Sequence, residues 1–195
     1  GIGGVSFVLC NTDAQALRNS PVPVKVQLGA KGEGAGNIPE VAKKLAEESA
    51  SEVEALFDDN TRMAFITAGM GGGTGTGAAP VVARIAKEKG VLTVGIVTIP
   101  FLFEGEPKIL QAFAGVEEMR KHVDALLVIN NERLCKIYPD LSWTTAFAKA
   151  DDSLSNAARS IAELVSKDGK INLDFADVRT TLKDGGAAVI STGSG

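Results

Sequence analysis

The feature that most constrains the fold is a glycine-rich run from Gly69 to Gly77, which separates an apolar segment from a helix-forming one. Glycine lets the backbone approach a bound group closely, and the first N–H groups of a helix bind phosphate oxygens. A tight connection from a strand to a helix needs one or two glycines, whereas six of these nine residues are glycine and two are threonine. The run therefore predicts a phosphate-binding loop.

The rest of the chain alternates between strand and helix patterns. Segments 63–68, 91–98 and 125–129 are almost wholly apolar and predict strands, the first of them buried. Segment 91–98 is also rich in β-branched residues, which is typical of a strand covered on both faces. Further strands are predicted at 5–10, 24–28 and 187–190, and helices at 37–56, 78–89, 107–121, 144–166 and 175–182. This order predicts an α/β fold with a Rossmann-like parallel sheet in three layers and a long central helix. Ligands of such sheets bind at the carboxyl ends of the strands.

Three local details of the helices are also predicted. Asn37 is placed to cap the first long helix through its side chain. Ile109, Phe113 and Val116 recur at helical spacing and are expected to form the inner face of the helix at 107–121. Trp143, before the long helix, is expected to pack between elements.

Composition narrows the classes of partner. The net charge is −4 and no basic stripe is present, which disfavours nucleic acid and anionic membranes. No apolar stretch is long enough to span a membrane and no signal peptide opens the chain, so we expect a cytoplasmic protein without direct membrane insertion. Cys10 and Cys135 are expected to be free thiols, and His122 alone cannot build a histidine-rich metal site.

Two other kinds of phosphate loop fit the glycine run less well. The Walker A motif of P-loop NTPases, GxxxxGK[ST], is absent. A relaxed dinucleotide fingerprint is present at Gly73, Gly75 and Ala78. It requires an acid at the end of the next strand, but no acid occurs there before Glu104. A dinucleotide-binding oxidoreductase is therefore the weaker alternative.

Several motifs, in one order along the chain, resemble those of the tubulin/FtsZ GTPase family. The resemblance is to the bacterial cell-division branch rather than to the tubulins. It rests on Ala68 to Gly77 and on four more stretches, at 10–17, 34–36, 100–105 and 172–179. It implies the three-layer fold of that family and a site for GTP or GDP with Mg²⁺.

The resemblance assigns the phosphate groups to both glycine loops. The residues implied to hold them are Gly71, Gly72, Gly73, Thr74, Gly75 and Thr76. Ala35 and Gly36 would approach the γ-phosphate from the shorter loop. Asn11 and Asp13 match positions near the nucleotide and its metal, although the residues alone favour an Asx turn at the end of a strand.

The resemblance also implies which residues bind the ribose and the base. Glu104 matches the ribose-binding acid, and Lys108 stands where the family usually has an arginine. Asn131 matches an asparagine that contacts the base. Phe147 matches the base platform, and Asp151 matches the acid that accepts from N1–H and the amine of guanine. From the residues alone, Phe147 would belong to the core and Asp151 to a solvated helix face.

Hydrolysis is implied to depend on residues from a second subunit. The stretch from Asp168 to Asp177 resembles the family's synergy loop, in which Asp174 and Asp177 orient the attacking water and Asn172 helps to place them. From the residues alone, Asp174 would cap a short helix. The loop enters the nucleotide pocket of the next subunit, so subunits assemble head to tail into filaments. The implied role is bacterial cell division at the mid-cell ring.

Residues 1–166 are expected to form the GTP-binding domain with its core helix, and residues 167–195 the synergy loop and the start of a second domain. Chains of the family begin earlier, with a strand and another glycine loop, and continue beyond Gly195 to a tail that binds membrane-tethering and regulatory proteins. A non-hydrolysing scaffold with the same fold is the second functional alternative.

Overall fold

A computed structural model describes residues 5–165 and 186–188. Within these residues the strands are β1 (Val8–Asn11), β2 (Val24–Gln27), β3 (Met63–Gly69), β4 (Leu92–Ile99), β5 (Ala125–Asn130) and β6 (Gly186–Ala188). The helices are α1 (Ala14–Asn19), α2 (Pro39–Glu48), α3 (Ala50–Glu54), α4 (Gly73–Glu88), α5 (Glu106–Arg120), α6 (Glu132–Ile137) and α7 (Trp143–Val165), with a 3₁₀ turn at Leu102–Glu104.

The described strands form two parallel sheets. One contains β1 and β2, and the other has the order β3-β4-β5-β6. In the larger sheet, Phe65 lies opposite Val94, and Val94 lies opposite Ala125. All these pairs are parallel, so the connections are crossovers, and the predicted α/β fold with a parallel sheet is confirmed.

Strand β4 lies at the centre of the three layers, and all eight of its residues are buried. Its side chains alternate between the two faces of the sheet. Val97 packs with residues of α4 and α5 on one face, including Ala83 and Ala112. Ile96 packs toward α7 on the other face, where Ala157 belongs to the same cluster. The carboxyl end of β4 is thereby held between helices.

The prediction that the strand at 63–68, which is β3, is buried is wrong for the described residues. Its residues are half-buried, and Thr67 and Gly69 are exposed. In the described part of the chain, β3 pairs with β4 along one edge and with no strand along the other. Ala64 of β3 and Cys10 of β1 pack against the same core cluster, so the two sheets share one hydrophobic layer.

The inner face of helix α5 includes Val116 as predicted but not Phe113. Its buried residues are Ala112, Gly115 and Met119, whereas Phe113 is 51% exposed. The reason is the close approach of α5 to α4. A Cβ added at Gly115 would lie 2.7 Å from Cγ2 of Thr76. Small residues therefore occupy the closest contact, while Met119 and Val116 pack in the core beside it and Phe113 lies outside.

The two helices that follow the glycine loops begin differently from the predictions. Helix α4 begins at Gly73, so half of the glycine run is helical rather than loop. Asn37 does not cap α2, because Ile38 occupies the N-cap position and no side chain bonds there. Asn37 instead has a positive φ of 62° and forms part of the loop.

Candidate nucleotide site

The start of α4 lies at the carboxyl end of β3 and is open to a ligand. Gly72 occupies the N-cap position in extended conformation, and no side chain caps the helix. The first N–H groups of a helix have no acceptor within it, and together with the helix dipole they attract anions. A 16-residue helix with an uncapped glycine start is well suited to phosphate.

Packing explains several glycines of the run. Gly71 has a φ of 110°, which favours glycine. A Cβ at Gly75 would overlap the carbonyl oxygen of Gly69, and one at Gly77 would overlap that of Pro39. Gly72 is different, since a Cβ there would meet only Oδ1 of Asn37, at 3.8 Å. Packing therefore does not require glycine at position 72, and the absence of a side chain there leaves the backbone N–H accessible.

The shorter glycine loop lies directly beside the start of α4. A Cβ at Gly73 would be 3.0 Å from Cβ of Ala35 and 2.9 Å from the N atom of Ile38. Ala35 is buried, and Gly36 is exposed with a φ of 58°. The structure thus brings the two predicted phosphate loops together.

Two threonines shape the longer loop from within. The buried Thr76 hydroxyl accepts a hydrogen bond of 2.9 Å from the N–H of Gly71, so that N–H is satisfied within the protein. Thr74 Oγ1 lies 2.7 Å from Thr12 Oγ1 at the end of β1. Thr12 was missed by the sequence analysis, although its place between Asn11 and Asp13 at a strand end pointed to the same edge of the sheet.

Asn11 and Asp13 form the local turn that the residues alone favoured. Asn11 Oδ1 accepts from the N–H of Asp13 at 3.1 Å. Asp13 is the N-cap of α1, and its Oδ1 accepts from the N–H of Gln15 at 2.7 Å. Cys10 just before them is a free thiol, and burial raises its pKa to about 11, so it stays protonated near neutral pH.

Glu104 and Lys108 are paired at the carboxyl end of β4. Glu104 Oε1 accepts from Lys108 Nζ at 3.1 Å, and Oε2 accepts from the N–H of Phe101 at 2.9 Å. The backbone carbonyl oxygen of Lys108 would lie 3.0 Å from a Cβ at Gly71. Lys108, the partner of the predicted ribose-binding acid, is therefore adjacent to the predicted phosphate loop.

A cluster of aromatic rings lies beside Glu104. Phe101 is fully buried, and Phe147 meets it edge-on with ring centres 5.5 Å apart. Phe103 stacks on Phe101 at 4.8 Å and on Trp143 at 4.5 Å. Trp143 is 67% exposed, so it lies at the edge of the cluster rather than between elements as expected. Asp151, one turn after Phe147 on α7, is exposed.

Asn131 has an unsatisfied acceptor. It is 6% exposed, and its Oδ1 has no hydrogen-bond partner, the single such buried side-chain atom in the part of the chain that the structure describes. Its N–H donates to the carbonyl oxygen of Ile99 at 3.1 Å, which fixes it at the end of β4. A buried polar group without a partner costs about 1–3 kcal/mol, so a ligand that bonds it gains affinity.

The three predicted catalytic residues, Asn172, Asp174 and Asp177, lie outside the described residues, as does the predicted helix at 175–182. Among the described residues, no group of three or more His, Cys, Asp or Glu side chains could hold a metal ion. No helix in the same part of the chain is long and apolar enough to cross a membrane.

Comparison with known proteins decides the family. The family model described as "Tubulin/FtsZ family, GTPase domain" matches residues 3–139, well over half of the chain. The chain belongs to the tubulin/FtsZ family. A family member, the cell division protein FtsZ of Porphyromonas gingivalis, is 66% identical over an alignment of 195 positions that covers 98% of this chain and 43% of that protein.

Solved structures of tubulin/FtsZ proteins share the fold. An empty FtsZ dimer from M. jannaschii has a TM-score of 0.92 and 46% identity, and the match covers 96% of this chain and 55% of that one. A GTPγS-bound protofilament of CetZ2 from Haloferax volcanii has a TM-score of 0.75 and 25% identity, with 93% and 54% covered. The predicted family and its fold are confirmed, and the chain spans about half the length of these relatives.

Proposed function

We propose that this chain carries the GTP site of an assembling GTPase. The observation that carries the proposal is the unpartnered Oδ1 of the buried Asn131, at the carboxyl end of β4. Asn131 is joined to the ring cluster through Leu134, which packs with Phe101. An adjacent aromatic platform and an unsatisfied amide are what a nucleotide base requires, and the family assignment favours guanine over the dinucleotide alternative.

The nucleotide would extend from this base site to the two glycine loops. Phe147 contacts the base, and the exposed carboxylate of Asp151 accepts from N1–H and the amine of guanine. Glu104 accepts from the ribose hydroxyls, and Lys108 provides positive charge toward the phosphates. The N–H groups of Gly72, Gly73, Thr74 and Gly75 hold the phosphate oxygens, with Ala35 and Gly36 toward the γ-phosphate.

For hydrolysis, Asp174 and Asp177 of the next subunit would orient the water that attacks the γ-phosphate, and Asn172 would help to place them. Mg²⁺ would neutralise charge on the β- and γ-phosphates. It would be held mainly by phosphate oxygens and water, which suits a site without a cluster of acidic ligands in the described residues.

Head-to-tail assembly follows from a site divided between two subunits. Such contacts do not close on themselves and produce filaments. The matched structures include one titled as a dimer and one titled as a protofilament. The relative from P. gingivalis is named a cell division protein, which supports a role at the mid-cell ring. Membrane-tethering and regulatory proteins would bind a tail beyond this chain.

The test is GTP turnover by the full-length protein that contains this chain, measured against protein concentration. The rate per subunit should rise with concentration, because each site needs a second subunit. Asp174→Ala should bind GTP and lose turnover, while Asp168→Ala in the same loop should retain it. Turnover independent of concentration would contradict the shared site. GTP binding without any turnover in the parent protein would favour the scaffold alternative.

A further inference from the structure

The side chain of Gln111 joins the two glycine loops. Gln111 lies on α5 and is half-buried. Its Nε2 donates to the carbonyl oxygen of Gly71 at 2.9 Å and to that of Asn37 at 3.1 Å. Gly71 belongs to the longer loop before α4, and Asn37 follows Gly36 in the shorter loop. One side chain from a third element therefore holds both loops.

The partners fix the orientation of the Gln111 amide. Both are carbonyl oxygens, which only accept, so the NH₂ group must face them. The two hydrogens of that NH₂ group are then both used. Gln111 Nε2 thus has no hydrogen left for a nucleotide, and its influence on one acts through the loops.

The bond to Gly71 sets the direction of the next N–H. In a trans peptide the carbonyl and the following N–H point in opposite directions. With the Gly71 carbonyl held toward α5, the N–H of Gly72 points away from α5. The N–H of Gly71 is held in turn by Thr76 Oγ1. The peptides on both sides of Gly71 are therefore fixed before any ligand binds.

The bond to Asn37 holds a backbone that is otherwise unfavourable. Asn37 has a φ of 62°, which non-glycine residues rarely adopt, although asparagine tolerates it better than most. Its side-chain Oδ1 would lie 3.8 Å from a Cβ at Gly72, so the conformation of Asn37 affects the space beside the start of α4. Gln111 stabilises this conformation through the Asn37 carbonyl.

We propose that Gln111 is a positioning residue for the phosphate groups of the nucleotide. It holds both glycine loops in the arrangement in which the N–H groups of residues 72–75 point at the phosphates. This inference rests on the proposed GTP site and adds to it a residue that makes no contact with the nucleotide.

The test compares Gln111→Met with the parent full-length protein by titration with GTP and GDP. Methionine keeps the length of the side chain and removes both donors. We expect affinity for each nucleotide to fall about tenfold, the effect of one or two hydrogen bonds. Gln111→Glu, which places an acceptor against two carbonyls, should lose at least as much. The matched controls are Leu110→Met and Leu110→Glu on the exposed neighbouring position of α5.

A second readout separates positioning from stability. The urea midpoint without nucleotide and the rise in Tm on adding GDP are measured for every variant. Positioning predicts that the rise in Tm on adding GDP is smaller in Gln111→Met than in the parent, while the urea midpoint falls no further than the loss of two hydrogen bonds explains. The inference would be overturned if Gln111→Met bound GTP and GDP with the affinity of the parent. It would also be overturned if the loss of affinity were fully explained by a lowered urea midpoint. Absence of GTP and GDP binding in the parent itself would instead overturn the proposed function.

Discussion

Asp13 and Glu104 use their carboxylates within the protein, whereas the Asp151 carboxylate makes no hydrogen bond or ion pair with the residues that the structure describes. Asp13 accepts from the backbone at the start of α1, and Glu104 accepts from Lys108 and Phe101. Asp151 is exposed on α7, one turn from Phe147. An exposed carboxylate has no stabilising task in the fold, so its removal isolates its contribution to ligand binding.

We predict that Asp151→Ala weakens GTP binding and reduces the preference for GTP over ATP. A hydrogen bond to a charged group contributes about 1.5–3 kcal/mol, which corresponds to roughly 10–100-fold in affinity. Titration of the full-length protein with both nucleotides measures the effect. Asp152→Ala is the control, because Asp152 is the next residue and is equally exposed. Equal GTP affinities of the two variants would refute the role of Asp151.

At the residue scale, the motifs predicted which side chains lie at the site but not how they are bonded. The Asx turn at Asn11 and Asp13 could be predicted because it involves only local neighbours. The hydrogen bonds of Gln111 and Thr12 could not be predicted from the sequence, since their partners Asn37, Gly71 and Thr74 lie far away along the chain.

At the scale of elements, the contact between α4 and α5 determines where the phosphate loop lies. Gly115 of α5 faces Thr76 and Met70, and its missing side chain lets the helices approach closely. Thr76 in turn holds the N–H of Gly71. A change in the distance between the helices would therefore move Thr76 and, with it, the backbone of Gly71.

We predict that Gly115→Ala destabilises the protein and weakens GDP binding. The new Cβ would lie 2.7 Å from Cγ2 of Thr76 and 2.9 Å from Sδ of Met70. Overpacking typically costs about 1–3 kcal/mol, which exceeds the gain of about 1 kcal/mol in helix propensity. Urea unfolding and GDP titration measure both effects.

Gly72→Ala is the control for Gly115→Ala, because a Cβ at Gly72 meets only Asn37 Oδ1, at 3.8 Å. This variant should unfold at the urea midpoint of the parent protein. A more stable Gly115→Ala protein would show that α4 and α5 separate without cost.

The order and parallel pairing of the elements were predictable because long apolar strands alternate with helices. The start of α4 was not. Glycine has low helix propensity, so the run at 73–77 indicates a loop, but packing against Gly69 and Pro39 requires glycine inside the helix. The place of Phe113 on α5 was mispredicted for a related reason, since the close contact selects Ala112 and Gly115.

At the scale of the whole molecule, the proposed hydrolysis of GTP depends on a site that one subunit cannot complete. The residues proposed to hold the nucleotide lie in the described part of the chain, and the proposed catalytic acids lie beyond it, at 174 and 177. Head-to-tail assembly would bring the acids of one subunit to the pocket of another. Neither half is expected to hydrolyse GTP alone.

The most direct test mixes two full-length variants, each disabled in one half of the site. A Cβ at Gly72 meets only Asn37 Oδ1, at 3.8 Å, so Gly72→Asp should fold. It places a negative charge beside the proposed phosphate position and should therefore lose GTP binding. It keeps Asp174. Asp174→Ala keeps the pocket and lacks the acid. The account predicts that each variant alone is nearly inactive and that the mixture hydrolyses GTP faster than the sum of the two.

The control mixture replaces Gly72→Asp with a protein that carries Gly72→Asp and Asp174→Ala together, and it should remain inactive. If the mixture of the single variants hydrolysed GTP no faster than the sum of the separate proteins, the shared site would be contradicted. The proposed dependence of hydrolysis on assembly would then be contradicted as well.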